Sequence, residues 1–408
     1  MPWQIVSAIM RPALRIWFGF KLRALRALPR PTDAPHVHTS GIHPDRILLI
    51  GNGAAAGFGV LSHGLGLPGH LARQLSSRTG RATDIDVMAD ADVTVSNCLE
   101  VLHRADLSRF DAIVMTVGLV ESLTQLSPRE WSNDLRMLLD HIDRVASTSL
   151  RVFIVSVQSM DSIGKIPRLV RWLSDGQAAR LNEQTKMVLA DHPRATYVPF
   201  SPPPSKDVDR YRSTETYESW TALIAPRIAS LLNSRTTGNA ARVIDSTDEE
   251  RRQKSLDALG ILDTPPEERF DRIVLTAKDL LGASGAALSF IDHERQWFKS
   301  ARGAGVAMQD VPRSKSLCNI TIRRTEPLVI EDAETDARFR RHPLVVGPPF
   351  LRFYAGYAIE SPDGQRVGVL CVVDTKPRTF SRNESALLRD LALQAQTELW
   401  ARQTVSTN

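Results

Sequence analysis

The chain is poor in cysteine. Its 408 residues include only Cys98, Cys318 and Cys371, far apart and without a Cys-x-x-Cys pair. That spacing excludes a thiolate zinc site of the usual kind and a disulfide scaffold, and it fits a reducing compartment. Acidic residues are missing before Asp33, whereas Arg11, Arg15, Lys21, Arg23, Arg26 and Arg30 all fall in that stretch. The formal net charge is only +5, so the remainder is close to neutral and offers no broad basic surface for nucleic acid. No uninterrupted apolar run reaches the ~18 residues needed to cross a bilayer. No small-residue cleavage site follows the first 30 residues, which argues against a secretory signal. Repeats and low-complexity tracts are absent too. What remains is an ordinary globular composition, 42% hydrophobic and 24% charged, in a chain longer than one core usually grows. Two domains are expected.

Residues 1–30 read as a basic amphipathic helix: Ile5, Val6, Ile9, Met10, Leu14, Ile16, Trp17 and Phe18 recur between arginines at roughly helical spacing. Two readings stand. The helix lies on an anionic membrane surface, or it covers part of the protein's own core. Residues 31–44, rich in proline, glycine and polar groups, read as a linker. From 45 to 233 short apolar runs alternate with helical patterns. Arg46–Gly51, Ile85–Met88, Phe110–Val117, Arg151–Val157 and Thr196–Val198 are expected strands. Helices are expected around Leu65–Arg78, Cys98–His103, Pro128–Ser147, Ala178–Asp191 and Tyr217–Leu232. This alternation predicts an α/β parallel-sheet sandwich. A small polar stretch at 234–247 marks a boundary. Beyond it, over 248–402, strands grouped between flanking helices predict an α+β unit.

In that second unit, Asp248-Glu-Glu-Arg251, Leu259-Gly-Ile-Leu-Asp-Thr-Pro-Pro266, Arg295-Gln-Trp-Phe-Lys299, Ser316-Leu-Cys318, Arg352-Phe-Tyr-Ala-Gly356 and Gly368-Val-Leu-Cys-Val-Val-Asp374 follow one another in an order and spacing that resembles bacterial GAF domains. The resemblance implies an antiparallel sheet with helices on one side and a small-molecule pocket on the other. It also implies a role in signalling, with dimerisation through the flanking helices or contact with a separate signalling protein. Trp297, Cys318, Arg352, Phe353 and Tyr354 are the candidate pocket residues; plain core is the alternative for the aromatics. Ile320 stands where relatives often carry histidine, which weakens a metal or redox reading of Cys318. No metal site and no cofactor is assigned, and the ligand is an unidentified small molecule.

In the first unit, Gly51-Asn-Gly-Ala-Ala-Ala-Gly57 follows a buried strand directly, where α/β proteins place their sites. A dinucleotide turn is one reading, with Gly51, Gly53 and Ala56 fitting Gly-x-Gly-x-x-Ala, but the acidic residue expected about 20 positions on is missing. The other reading uses the whole segment. Ile47–Leu75, Phe110–Gly118 and Val198-Pro199 with Tyr217–Ile228 resemble the blocks of SGNH (GDSL-type) hydrolases. Such enzymes need a serine nucleophile, a histidine base oriented by an aspartate, and oxyanion donors. Here the nucleophile position is Gly53, the Asn donor position is Val120, and the base position is Arg212, with Asp209 alone retained. The resemblance therefore implies a non-catalytic relative, with Asn52, Gly53, Gly118 and Glu121 lining what is left of the cleft. A rearranged esterase site and a nucleotide site are the alternatives. The expected whole is a cytoplasmic sensory or regulatory protein, peripheral to the membrane if residues 1–30 bind it.

Overall fold

A computed structural model describes residues 10–20, 23, 27–160, 166–203, 213–234, 246–306, 310–324 and 326–405. The chain divides into two compact units, residues 1–39 with 44–236 and residues 40–43 with 237–408.

The first unit begins with helix α1 (10–20). There follow β1 (His36–His38), β2 (Asp45–Gly51), α2 (Leu67–Thr79), β3 (Thr83–Ala89), α3 (Cys98–Leu102), β4 (Ala112–Thr116), α4 (Leu119–Leu123), α5 (Pro128–Val145), β5 (Arg151–Val155), α6 (Arg168–Leu189), β6 (Ala195–Val198) and α7 (Thr214–Asn233). The strands form one sheet in the order β1-β3-β2-β4-β5-β6. All pairs are parallel except β1 with β3, so the sheet is mixed rather than purely parallel. The departure comes from residues 36–38, read as linker: they lie antiparallel along β3, tied by the His36 ring to Asp86 at 2.6 Å. Three residues between proline and polar neighbours carry too little pattern to be read as a strand.

Alternation along the central strands sorts side chains into two cores. Leu48 and Ile50, with Ile113, Met115, Val152 and Ile154, pack against α3, α5 and α6. Ile47 and Leu49, with Val114, Phe153 and Val155, pack against α2 and α7. Helix α5 starts cleanly because Ser127 accepts from the Glu130 N–H at 3.1 Å while the Glu130 carboxylate accepts from the Ser127 N–H at 3.1 Å, with Pro128 at the first helical position. Helix α6 begins ten residues earlier than its pattern suggests. Ser174, Asp175 and Gly176 interrupt the apolar spacing, but the Asp175 carboxylate accepts from the Met160 N–H at 2.7 Å and the Gln177 amide donates to Leu126 O. Helix α1 buries Leu14 and Phe18 on Leu123, Met160, Val170 and Leu173, while Ile16 and Phe20 stay 64% and 66% exposed. The described part of the N-terminal helix thus covers protein. Among the described residues no helix is long and apolar enough to cross a membrane.

The second unit runs α8 (Ser246–Leu259), α9 (Glu268–Leu280), β7 (Gly285–Ile291), β8 (Arg295–Gly303), β9 (Val311–Pro312), α10 (Leu317–Thr321), β10 (Leu328–Ile330), α11 (Pro343–Val346), β11 (Phe353–Glu360), β12 (Arg366–Asp374) and α12 (Arg382–Val405). Its sheet is antiparallel throughout, in the order β10-β11-β12-β7-β8-β9. The β11–β12 hairpin closes where Gly364 N–H donates to Ser361 O at 2.8 Å. Helix α12 packs on α8, α9, β11 and β12 within the unit. The opposite face holds Ala287, Ile291, Phe298, Val369 and Val373 beneath α10 and α11.

Candidate functional site

In the first unit, β2 and β4 lie side by side while the chain leaving β2 crosses first to β3. This makes the junction a topological switch point, and the crevice beyond the carboxyl ends of the strands is where such sheets hold ligands. A shallow cleft open to solvent lies there, lined by Asn52, Gly53, Thr116, Ser156, Gln158 and Phe200 among mainly apolar neighbours. Asn52 is 1% exposed. Its Nδ2 donates to Val93 O at 2.7 Å, which fixes the orientation of the amide, and its Oδ1 is buried without a partner. The Gln158 Oε1 is likewise buried and unpartnered.

Beneath Asn52 lies Glu121, 2% exposed. Its carboxylate accepts from Val95 N–H at 2.7 Å and from Gly118 N–H at 2.9 Å. Burial pushes its pKa up despite those donors and the Asn52 amide beside it. Gly118 has φ +107°, and a Cβ there would lie 2.3 Å from Val157 Cγ2. The four residues read from the sequence as cleft candidates, Asn52, Gly53, Gly118 and Glu121, therefore come together. Only Asn52 and Gly53 face the cleft; Gly118 and Glu121 brace it from within the protein.

Gly53, read from the sequence as standing where a nucleophile would, has φ +57°, a left-handed conformation that disfavours any side chain. Val120 lies in α4 and packs toward Leu14 and Phe18. Asp209 and Arg212 lie outside the described residues. The Ser156 hydroxyl bridges to the chain just past β6, donating to Phe200 O at 3.2 Å and accepting from Phe200 N–H at 2.8 Å. No ionisable side chain is among the described cleft-lining residues. His63 and His70 are engaged elsewhere, with Asp33 at 2.7 Å and Thr214 at 2.9 Å. Gln158 and Phe200 escaped the sequence reading, although Gln158 stands just past a strand end, a position that could have marked it.

In the second unit, Cys318 and Tyr354 meet on the face under α10. Tyr354 Oη lies 3.4 Å from Cys318 Sγ and 2.7 Å from Thr321 Oγ1. The Gln296 amide donates to Cys318 Sγ at 3.2 Å and to Ser289 Oγ at 2.9 Å, and its Oε1 accepts from Ser316 at 2.6 Å. Cys371 Sγ is 4.0 Å from Cys318 Sγ. The Cys371 thiol against it and the surrounding donors outweigh burial and lower the Cys318 pKa. The Cys318 sulfur and burial push Cys371 well up, and burial does the same to Tyr354. Trp297 and Phe353 fall on the other side of the sheet. Trp297 sits beside Lys299, whose ammonium also lies over Phe270 of α9, and Phe353 packs on Phe380 beneath Arg378. Arg352 reaches Glu334 at 3.2 Å at the strand's start. Of the five candidates, two share a site. Gln296, Ser289 and Thr321 complete it. Among the described residues no cluster of three metal-ligating side chains occurs.

The family model of the GAF domain matches residues 265–399. Over 146 residues the chain is 36% identical to a cyclic di-GMP phosphodiesterase of Pseudomonas aeruginosa, which takes in 36% of this chain and 24% of that protein. The chain thus spans about a quarter of the length of the curated relative it matches. Among solved structures, the GAF domain of a phosphoenolpyruvate-protein phosphotransferase from Coxiella burnetii overlaps with a TM-score of 0.29 at 16% identity, covering 39% of this chain and 96% of that one. A protein from Slackia heliotrinireducens assigned as an SGNH hydrolase overlaps with a TM-score of 0.33 at 16% identity, covering 46% of this chain and all of that one (100%).

Proposed function

Residues 265–399 being a GAF domain, we propose that the chain is a sensory or regulatory protein in which that domain binds a small molecule or mediates dimerisation, while the first unit is a non-catalytic SGNH-like scaffold. The GAF match is the observation that carries the reading, and the similarity to a cyclic di-GMP phosphodiesterase is in keeping with it. Binding on the Cys318–Tyr354 face would act by favouring one packing of α10 and its neighbouring strands over another, since a ligand shifts an equilibrium only by its differential affinity. The flanking helices α8 and α12 are the proposed dimer contact, and a separate signalling protein is the alternative recipient of the signal.

The scaffold reading of the first unit rests on Gly53. With no side chain at the strand-end turn and no histidine, aspartate or glutamate along the described cleft lining, acyl transfer lacks its nucleophile and its base. The cleft is instead suited to holding an uncharged molecule in a mainly apolar groove.

Calorimetry of the full chain against nucleotides, amino acids, haem and small carboxylic acids tests the sensory reading. One class of compound should raise the melting of the second unit by several degrees and leave the first unmoved. If no compound moves it while the protein dimerises, dimerisation rather than sensing is the domain's task. A fluorophosphonate probe should leave the chain unlabelled. Saturable ester hydrolysis that depends on the 51–59 loop would overturn the non-catalytic reading.

A further inference from the structure

We propose that Cys318 and Cys371 form a reversible dithiol–disulfide pair, oxidised by hydroperoxides, inside the second unit. The two sulfurs come from elements 53 residues apart in sequence, the short helix α10 and the strand β12, yet lie 4.0 Å from each other. Both cysteines are buried, 2% and 3% exposed. A disulfide needs about 2.0 Å between sulfurs, so side-chain rotation with a small shift of α10 closes the gap.

The surroundings divide the two roles. Cys318 Sγ receives the Gln296 amide at 3.2 Å and faces the Tyr354 hydroxyl at 3.4 Å. The Tyr354 hydroxyl is within reach of both Cys318 and Thr321, and Thr321 in turn has Leu317 O at 3.1 Å to donate to. When Cys318 loses its proton, Tyr354 can therefore turn its hydrogen fully onto sulfur while Thr321 donates to the carbonyl. Such donors stabilise a thiolate, the reactive form of cysteine. Cys98 makes the contrast. It is buried in the first unit, the nearby charge is the Glu121 carboxylate, and its thiol is pushed up to about 12 by burial first and that carboxylate second.

The chemistry balances in two steps. The Cys318 thiolate attacks one oxygen of the hydroperoxide. An S–O bond forms, the O–O bond breaks, and the departing alkoxide or hydroxide takes up a proton to leave as alcohol or water. Cys371 then attacks the sulfenic sulfur. The S–S bond forms, the S–O bond breaks, and the Cys371 proton leaves with the oxygen as water. Two thiols are oxidised by two electrons and one peroxide is reduced. The disulfide pins α10 to β12 and removes the thiolate that Tyr354 and Gln296 serve. This holds whether or not the domain binds a separate small molecule.

The reduced full-length protein, exposed to hydrogen peroxide, quenched with catalase and alkylated after unfolding, gives the test. The expected result is loss of two of three alkylatable thiols, a peptide map joining Cys318 to Cys371, Cys98 still alkylated, and full recovery with dithiothreitol. Cys371→Ser should stop at a sulfenic acid on Cys318 that dimedone traps, and Cys98→Ser should behave as the parent. Three alkylatable thiols after peroxide treatment would overturn the proposal, as would oxidation of Cys98 first or disulfides joining two chains. The parent peptide map decides the matter even if Cys371→Ser fails to fold.

Discussion

At the scale of single residues, two glycines and one carboxyl group govern the cleft of the first unit. Gly118 combines φ +107° with a side-chain space already filled by Val157. Gly118→Ala should lower stability by about 2–4 kcal/mol, from left-handed strain and overpacking together. Urea unfolding followed in the first unit checks this, and a change within about 0.5 kcal/mol would show that the backbone relaxes there. Glu121 behaves as a proton-linked group. Its folded pKa is raised by burial, so its contribution is fully present below the unfolded carboxyl value and is lost as pH rises through the folded one. Glu121→Gln, which cannot ionise, should therefore gain on the parent as pH rises above the ordinary carboxyl value; parallel stability curves would rule that linkage out. How far these residues were legible is instructive. Gly53 and Asn52 stand out because a strand end followed by glycine marks a site on sequence grounds alone. Gln158 does not, because an orphaned amide oxygen is a property of packing. Cys371 was visible within its motif, but its neighbour Cys318 lies 53 positions away, and only the register of β12 with β7 and the seating of α10 bring them together.

At the scale of elements, the apolar runs and capping residues made most strands and helices readable, because each central strand is buried on both faces and α5 carries its own start signal. The exceptions are elements held by specific side chains rather than by pattern. The first half of α6 depends on Asp175 and Gln177 reaching neighbouring backbone. β1 is tied by the His36 ring to Asp86, and beside it the Thr39 hydroxyl accepts from Thr83 N–H at 2.8 Å. Burial works against protonation of His36, but the bond and charge of Asp86, with Asp84 adding and Arg109 opposing, raise its pKa overall. The resulting stability is present below the ordinary histidine value and lost as pH rises through the folded one. Amide exchange in residues 36–38, corrected for intrinsic chemistry, should speed up as pH rises above the ordinary histidine value by more than in β2 or β4. Equal behaviour across the sheet would mean that β1 is held by its backbone alone.

At the scale of the whole molecule, each unit has its own sheet and its own buried clusters. Calorimetry should resolve two transitions, of which Gly118→Ala moves only one; a single transition shifted as a whole by that variant would show that the units unfold together. The division was legible at coarse grain from the change in element order near residue 240. The antiparallel strand was not, and it has a consequence beyond the fold. A sheet that ends at β3 would present seven residues of open backbone, Thr83–Ala89, to any other extended chain. β1 occupies part of that border with three residues anchored at one end by a histidine. Whatever holds those three residues in place therefore also keeps part of that border closed to other extended chains.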